Sequence, residues 1–411
     1  MTNIWSNNNQ TVNGTIETGV KFSLTCDPDT ITNIFQQSTV RKSNPSRRIA
    51  SYMGTGESIV ASAENKSVPK RAEFKKYLNN QTYEKCFKEA WNECTLILDA
   101  VGDQPVDLQA TLKRSLSIAL LEHLLGINVK NTEFVEELLT AIAITDQLEE
   151  SPKKVITLNS LPLPTFIKNW FSPAMKKKNQ IFDRVANKLY NYTEVKSKSW
   201  FSKIKEMEKT GKMSRQEVLG ELRSIFFNAD NLAISIIWTV YALSVEDSKH
   251  LKQTVEQIDY ARYCYMEMLR LQPPVNIIGY VEKSKCPFHF KKQTVISIAD
   301  THRSPKNWDR PLEFDPMRFS KGAKNIPKNT YIPFGTGDRK CPAVAMSMSI
   351  CPIFIQSLFK NYRFYGIDHN AVHRLDEKVH PELPPNQLMG ITRSPQKNQF
   401  FVNVLKIKIV D

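Results

Sequence analysis

The 411-residue sequence has no pair of cysteines two residues apart and no internal repeat. It also has no run of about eighteen or more apolar residues, the length a membrane helix needs. Its seven cysteines are odd in number and widely spaced. That excludes a zinc-finger pattern and a disulfide framework, and it fits a reducing cytoplasm. Residues 1 to 20 are polar and lack the apolar core of a secretion signal. No zinc-finger or RNA-binding motif and no long basic arm is present, so nucleic acid is not the expected partner. The cytoplasm is the expected location, with no transmembrane segment.

What is present is an ordinary globular composition, 41% hydrophobic and 24% charged, with a net charge of +14. The positive balance fits either an acidic partner or simply a solvated basic surface. Residues 1 to 20 read as a mobile tail, and residues 21 to 411 as one domain. Lys21 to Leu24 alternate like a strand, and Asp27-Pro28-Asp29 opens a helix. Residues 40 to 68 read as a long loop. Helical spacing dominates from Pro69 to Leu125, where Gly126 caps the stretch. His123, set among leucines, reads as a satisfied core histidine. Residues 151 to 174 carry four prolines and form a connector. Ser214 and Glu217 form a capping box at the start of a long apolar helix, expected from Val218 to about Leu243. Thr294 to Ile298 reads as a strand, and Pro352 should kink the last helix. The layout is mainly α with a small β-rich part.

The stretch from Pro333 to Ala343, PFGTGDRKCPA, carries the most chemistry. Gly335 and Gly337 permit unusual backbone angles and close approach to a flat cofactor. Arg339 suits a carboxylate. Pro342 is suited to the first position of a helix, so Cys341 should sit at a helix N-terminus, whose free N–H groups favour an anionic sulfur. Cys351-Pro352 lacks the upstream glycines and arginine.

Phe334, Gly335, Gly337, Arg339, Cys341 and Ala343 resemble the haem-binding signature of the cytochromes P-450 at every defining position. The resemblance implies the P-450 fold, haem b (iron protoporphyrin IX), and Cys341 as its metal ligand through a thiolate. Phe334, Gly335, Gly337 and Arg339 would complete the cofactor-binding loop, with Arg339 on a propionate. Glu267 and Arg270 resemble the family's Glu-x-x-Arg pair, and residues 300 to 319 its meander. Arg318 would then close a structural triad with Glu267 and Arg270. Arg71 and Lys75, four apart on a helix like the one that crosses the haem, would both reach propionates, or else form a solvated basic face. The N-terminal portion is short against the family pattern, and the likeness is specific from Ser214 onward.

The long helix departs from that pattern. Asp230 keeps the family's acid, but Asn231 replaces the usual threonine, and Phe227 and Asn228 replace small residues. Asp230 and Asn231 are the candidate catalytic pair for proton delivery. Asparagine there also resembles the prostacyclin synthase and sterol hydroxylase branches. Tyr280 replaces a common propionate-binding arginine. The resemblance implies a monooxygenase acting with O2 on a lipophilic small molecule. Its electrons would come from a ferredoxin or flavin reductase docked on a basic face. Two alternatives stand beside it: an isomerase or lyase of an oxygenated lipid that needs no external electrons, and a non-catalytic haem protein. Phe226, Phe227, Ile234, Val275, Ile277, Ile278, Leu388 and Met389 are candidate pocket walls.

Overall fold

The structure is a computed structural model that describes residues 11–15, 21–36, 41–42, 58, 64–101, 105–129, 132–146, 167, 170–245, 248–281, 293–321, 326–362, 388–393 and 400–403. The organising element is α8 (Arg215–Val245), a 31-residue helix. Val218, Leu222, Ile225, Ala229, Ala233, Ile236 and Val240 are buried and recur at three- and four-residue spacing. Its start is the expected capping box: the Ser214 amide donates to Glu217 Oε2 at 2.8 Å, and the Glu217 amide to Ser214 Oγ at 3.3 Å. By length and composition alone α8 is apolar enough to cross a membrane, but 67% of that window is buried inside the protein. It is therefore read as a core helix, packed against α4 (Leu108–Leu120), α6 (Pro173–Asn191), α10 (Ile258–Leu271) and α12 (Val344–Asn361). Three shorter helices pack around this body: α5 (Thr132–Asp146) on α6, α7 (Trp200–Lys209) on α8, and α9 (Ser248–Glu256) on α10.

The strands form two small sheets beside this helical body. A five-stranded sheet has the order β1 (Thr11–Thr15), β2 (Lys21–Thr25), β6 (Gln293–Ser297), β5 (Ile277–Val281), β3 (Arg41–Lys42). Only β2 and β6 run parallel. The second sheet is antiparallel, with the order β4 (Pro105–Asp107), β7 (Leu388–Arg393), β8 (Phe400–Asn403). The mainly α class with a small β part is observed.

Several local expectations change. Thr11–Thr15, expected within a mobile tail, is an edge strand that pairs with β2 from Thr11↔Thr25 to Thr15↔Lys21. An edge strand needs no apolar alternation to be held by its ladder. The expected loop of residues 40 to 68 contains β3, and α2 (Glu64–Lys75) begins before its end. After α4 the chain forms a π-helical turn, Leu121–Leu125, which Gly126 ends at φ 74° as expected. His123 lies on that turn, half-buried rather than in the core, with Nε2 3.9 Å from Glu89 Oε2 of α3 (Asn80–Val101).

Candidate functional site

The Pro333–Ala343 loop is closed by three backbone bonds. Gly335 N–H donates to Ile332 O at 2.9 Å, Lys340 N–H to Gly337 O at 3.1 Å, and Cys341 N–H to Phe334 O at 2.9 Å. Gly335 and Gly337 take φ of 70° and 67°, the left-handed region that a side chain would strain. A Cβ on Gly337 would also lie 2.8 Å from the Phe35 ring of α1 (Pro28–Gln36). At Gly335 nothing lies within 4 Å of such a Cβ, so the loop offers bare backbone to open space.

Cys341 differs from the other described cysteines. Cys26, Cys86, Cys94, Cys264 and Cys351 are buried, whereas Cys341 is part-exposed. Burial pushes Cys26, Cys86, Cys264 and Cys351 up to about 12. Burial also raises Cys341, but the Ala343 amide and the positive charges of Arg71 and Lys340 oppose it. The sequence places Cys341 at a helix N-terminus through Pro342; the structure corrects the detail. α12 begins at Val344 with Ala343 as its N-cap, and Pro342 lies in the preceding turn. The donor to sulfur is thus the N-cap amide, and the bare thiol is not a low-pKa one.

Arg71 and Lys75 separate. Arg71 is buried and its Nη1 donates to the carbonyl of Lys340 at 2.8 Å, which fastens α2 to the residue before the cysteine. Lys75 is exposed one turn on. The residue that joins Arg71 inside is Lys70, paired with Glu217 at 2.6 Å with both side chains 3% exposed. Arg339 is half-buried in the 3-10 turn Gly337–Arg339, and Phe334 packs against the main core.

The triad forms as expected. Arg270 commits all five N–H donors: Nε and Nη2 to the two oxygens of Glu267 at 2.8 and 2.7 Å, the rest to the carbonyls of His302, Pro311 and Glu313 at 2.8, 2.6 and 3.1 Å. Glu267 also accepts from the Asp315 amide at 3.0 Å and Arg318 Nε at 3.3 Å. Arg270 and Glu267 are fully buried. Every polar atom of the pair is therefore satisfied by the meander it holds.

On the other side of the core, Asp230 and Asn231 are adjacent and half-buried on α8. Lys113 of α4 lies 3.4 Å from Asp230 Oδ1. Neither this lysine nor Lys70 was legible in sequence, because no local motif marks their partners. Of the candidate walls, Phe226 is plain core, and Phe227 packs on Phe182 with ring centroids 5.2 Å apart. Ile234 and Ile278 are half-buried, while Val275 and Ile277 are 42% and 43% exposed. The side chains of Leu388, Met389 and Tyr280 lie outside the described residues.

This donor set fits a haem. One reachable sulfur carries an amide donor, cations flank it, and the glycine at 335 leaves open space at its loop.

Comparison with known proteins agrees. The family profile described as Cytochrome P-450 matches residues 244–389, which span the triad and the cysteine loop. Cytochrome P-450 3A17 of Cavia porcellus is 27% identical over 235 residues, 51% of this chain and 46% of that protein. Cytochrome P-450 71B7 of Arabidopsis thaliana is 23% identical over 347 residues, 70% of this chain and 67% of that protein. The chain thus spans about half of the guinea-pig protein's length. A crystal structure of a 6-coordinated cytochrome P-450 from Thermus thermophilus superposes with a TM-score of 0.64 at 17% identity, covering 87% of this chain and 88% of that one.

Proposed function

As this chain belongs to the cytochrome P-450 superfamily, we propose that it is a haem-thiolate monooxygenase acting on a lipophilic small molecule. The observation that carries this reading is Cys341: a part-exposed sulfur with an amide donor and two nearby cations, on a loop fastened to α2 by Arg71. Bound there, the haem supplies activation of dioxygen with two electrons and insertion of one oxygen atom.

The chain's own residues have distinct tasks. Cys341 would hold the iron, and Arg339 and Arg71 would supply positive charge to the cofactor's carboxylates. Asp230 passes protons through its carboxylate, which Lys113 orients from α4. Asn231 has both a donor and an acceptor with which to order a water beside Asp230. Val275, Ile277 and Ile234 present apolar surface, which favours a lipophilic substrate. Lys75, Lys76 and Lys340 are exposed at the C-terminal end of α2, in the turn after it and on the cysteine loop, and this supports docking of an acidic electron donor there. The six described cysteines are free thiols, which supports a reducing compartment such as the cytoplasm.

Asn231 in place of a hydroxyl favours a second reading, rearrangement of an oxygenated lipid without external electrons. Asp230→Asn separates the two. Under the monooxygenase reading, reductant-dependent oxygen consumption falls roughly a hundredfold, with the thiolate spectrum unchanged. Turnover of a hydroperoxide without any reductant, equal in wild type and Asp230→Asn, would transfer the assignment to the second reading.

A further inference from the structure

His302 is fully buried at the end of α11 (Ile298–Arg303), between the triad and the cysteine loop. Its Nδ1 lies 3.2 Å from the carbonyl of Arg270, and its Nε2 lies 2.7 Å from the amide nitrogen of Ile332. A carbonyl only accepts and an amide only donates, so the partners dictate the tautomer: Nδ1 carries the proton and Nε2 the lone pair. Burial and the neighbouring Arg270 charge hold the imidazole's pKa down at about 3, so the ring stays neutral. The guanidinium of Arg270 grips the His302 carbonyl at 2.8 Å, and the ring stacks on Tyr331 with centroids 5.4 Å apart. Tyr331 in turn donates to the Met266 carbonyl at 3.0 Å.

The path continues to the sulfur. Ile332 offers its carbonyl to Gly335, and Phe334 offers its carbonyl to the amide of Cys341, both at 2.9 Å. Each link is a short hydrogen bond between groups held on both sides.

We propose that His302 is a positioning residue, which transmits the rigidity of the Glu267–Arg270–Arg318 triad through the Ile332 amide to the loop that presents Cys341. The inference rests on the haem-thiolate reading of Cys341. Without the Nε2 acceptor, the Ile332 amide is buried without a partner, the loop slackens, and the Cys341 sulfur loses its fixed position.

Two substitutions of similar polarity test this. In His302→Gln the side-chain carbonyl takes the place of Nε2 and accepts from Ile332. In His302→Asn the side-chain amide takes the place of Nδ1 and keeps only the Arg270 bond. With the haem-loaded full chain, two quantities are read: the thiolate share of the reduced carbon monoxide spectrum, and hydrogen exchange at the Ile332 and Cys341 amides. His302→Gln is expected to match wild type in both. His302→Asn is expected to lose thiolate share and exchange roughly tenfold or more faster at Ile332. Equal behaviour of the two variants would reduce His302 to a space-filler and overturn the proposal. If His302→Asn does not fold, wild type still decides. Its Ile332 amide must exchange as slowly as the core of α8, and fast exchange there would overturn the proposal. A wild type lacking any thiolate spectrum would instead reject the haem-thiolate reading itself.

Discussion

Arg270→Leu will cost about 3–5 kcal/mol of stability, because it strips a fully buried carboxylate of its closer, bidentate cation. Glu267 keeps only the Asp315 amide and Arg318 Nε, at 3.0 and 3.3 Å. The carbonyls of His302, Pro311 and Glu313 also lose donors. Total stabilities run to about 5–15 kcal/mol, so much of the folded population is at stake. A useful contrast is Lys88→Ala, which removes a pair with Glu84 whose side chains are 67% and 65% exposed. That pair is worth under about 1 kcal/mol. Urea unfolding of both variants measures the difference. Equal losses would mean that the triad does not hold the meander.

Lys70→Met will cost on the same order, about 3–5 kcal/mol, by leaving the buried Glu217 charge without its paired lysine. The pair joins α2 to the first turn of α8, so the loss falls on the helix that also supplies Arg71. Its pH dependence gives an independent check. Burial raises the Glu217 pKa, but Lys70 and the Ser214 amide and hydroxyl more than reverse this and bring it to about 2 from an ordinary 4.5. A depressed carboxylate stabilises the fold fully above its unfolded pKa, and that stability drains away as pH falls from 4.5 toward 2. In Lys70→Met burial remains while the lysine that lowers the carboxylate is gone, so the Glu217 pKa rises and less stability is lost as pH falls. Stability curves of the two proteins against pH, converging on acidification, are the expected result. Parallel curves would mean that the pair is not formed.

The cysteine loop, the Glu-x-x-Arg pair and the Ser214 cap were legible because their chemistry is local. Each depends on residues within a few positions of one another, where spacing alone fixes geometry. What sequence did not reveal is pairing across the fold. Lys70 and Glu217 are 147 positions apart, and His302 and Ile332 are 30 apart. Neither has a periodicity that names its partner. Arg71 and Lys75 show the limit of the helical pattern itself. The buried face of α2 is set by Lys70, Arg71 and Phe74, and Lys75 falls about a quarter turn from its centre. Two basic residues four apart thus have different surroundings. Pro342 marked a helix start correctly to within two residues, yet the group that reaches the sulfur is the amide at 343. On the distal helix, Asp230 and Asn231 are adjacent in sequence, but Lys113, which meets Asp230 there, comes from α4.

The most direct test is the reduced carbon monoxide difference spectrum of purified, haem-loaded protein, with Cys341→Ser measured beside it. Wild type will show the long-wavelength band of a thiolate-ligated iron. Cys341→Ser will lack that band, while Cys351→Ser, altered at a buried thiol far up α12, will keep it. A wild type without the band, or a serine variant that retains it, would contradict the assignment of iron to this sulfur.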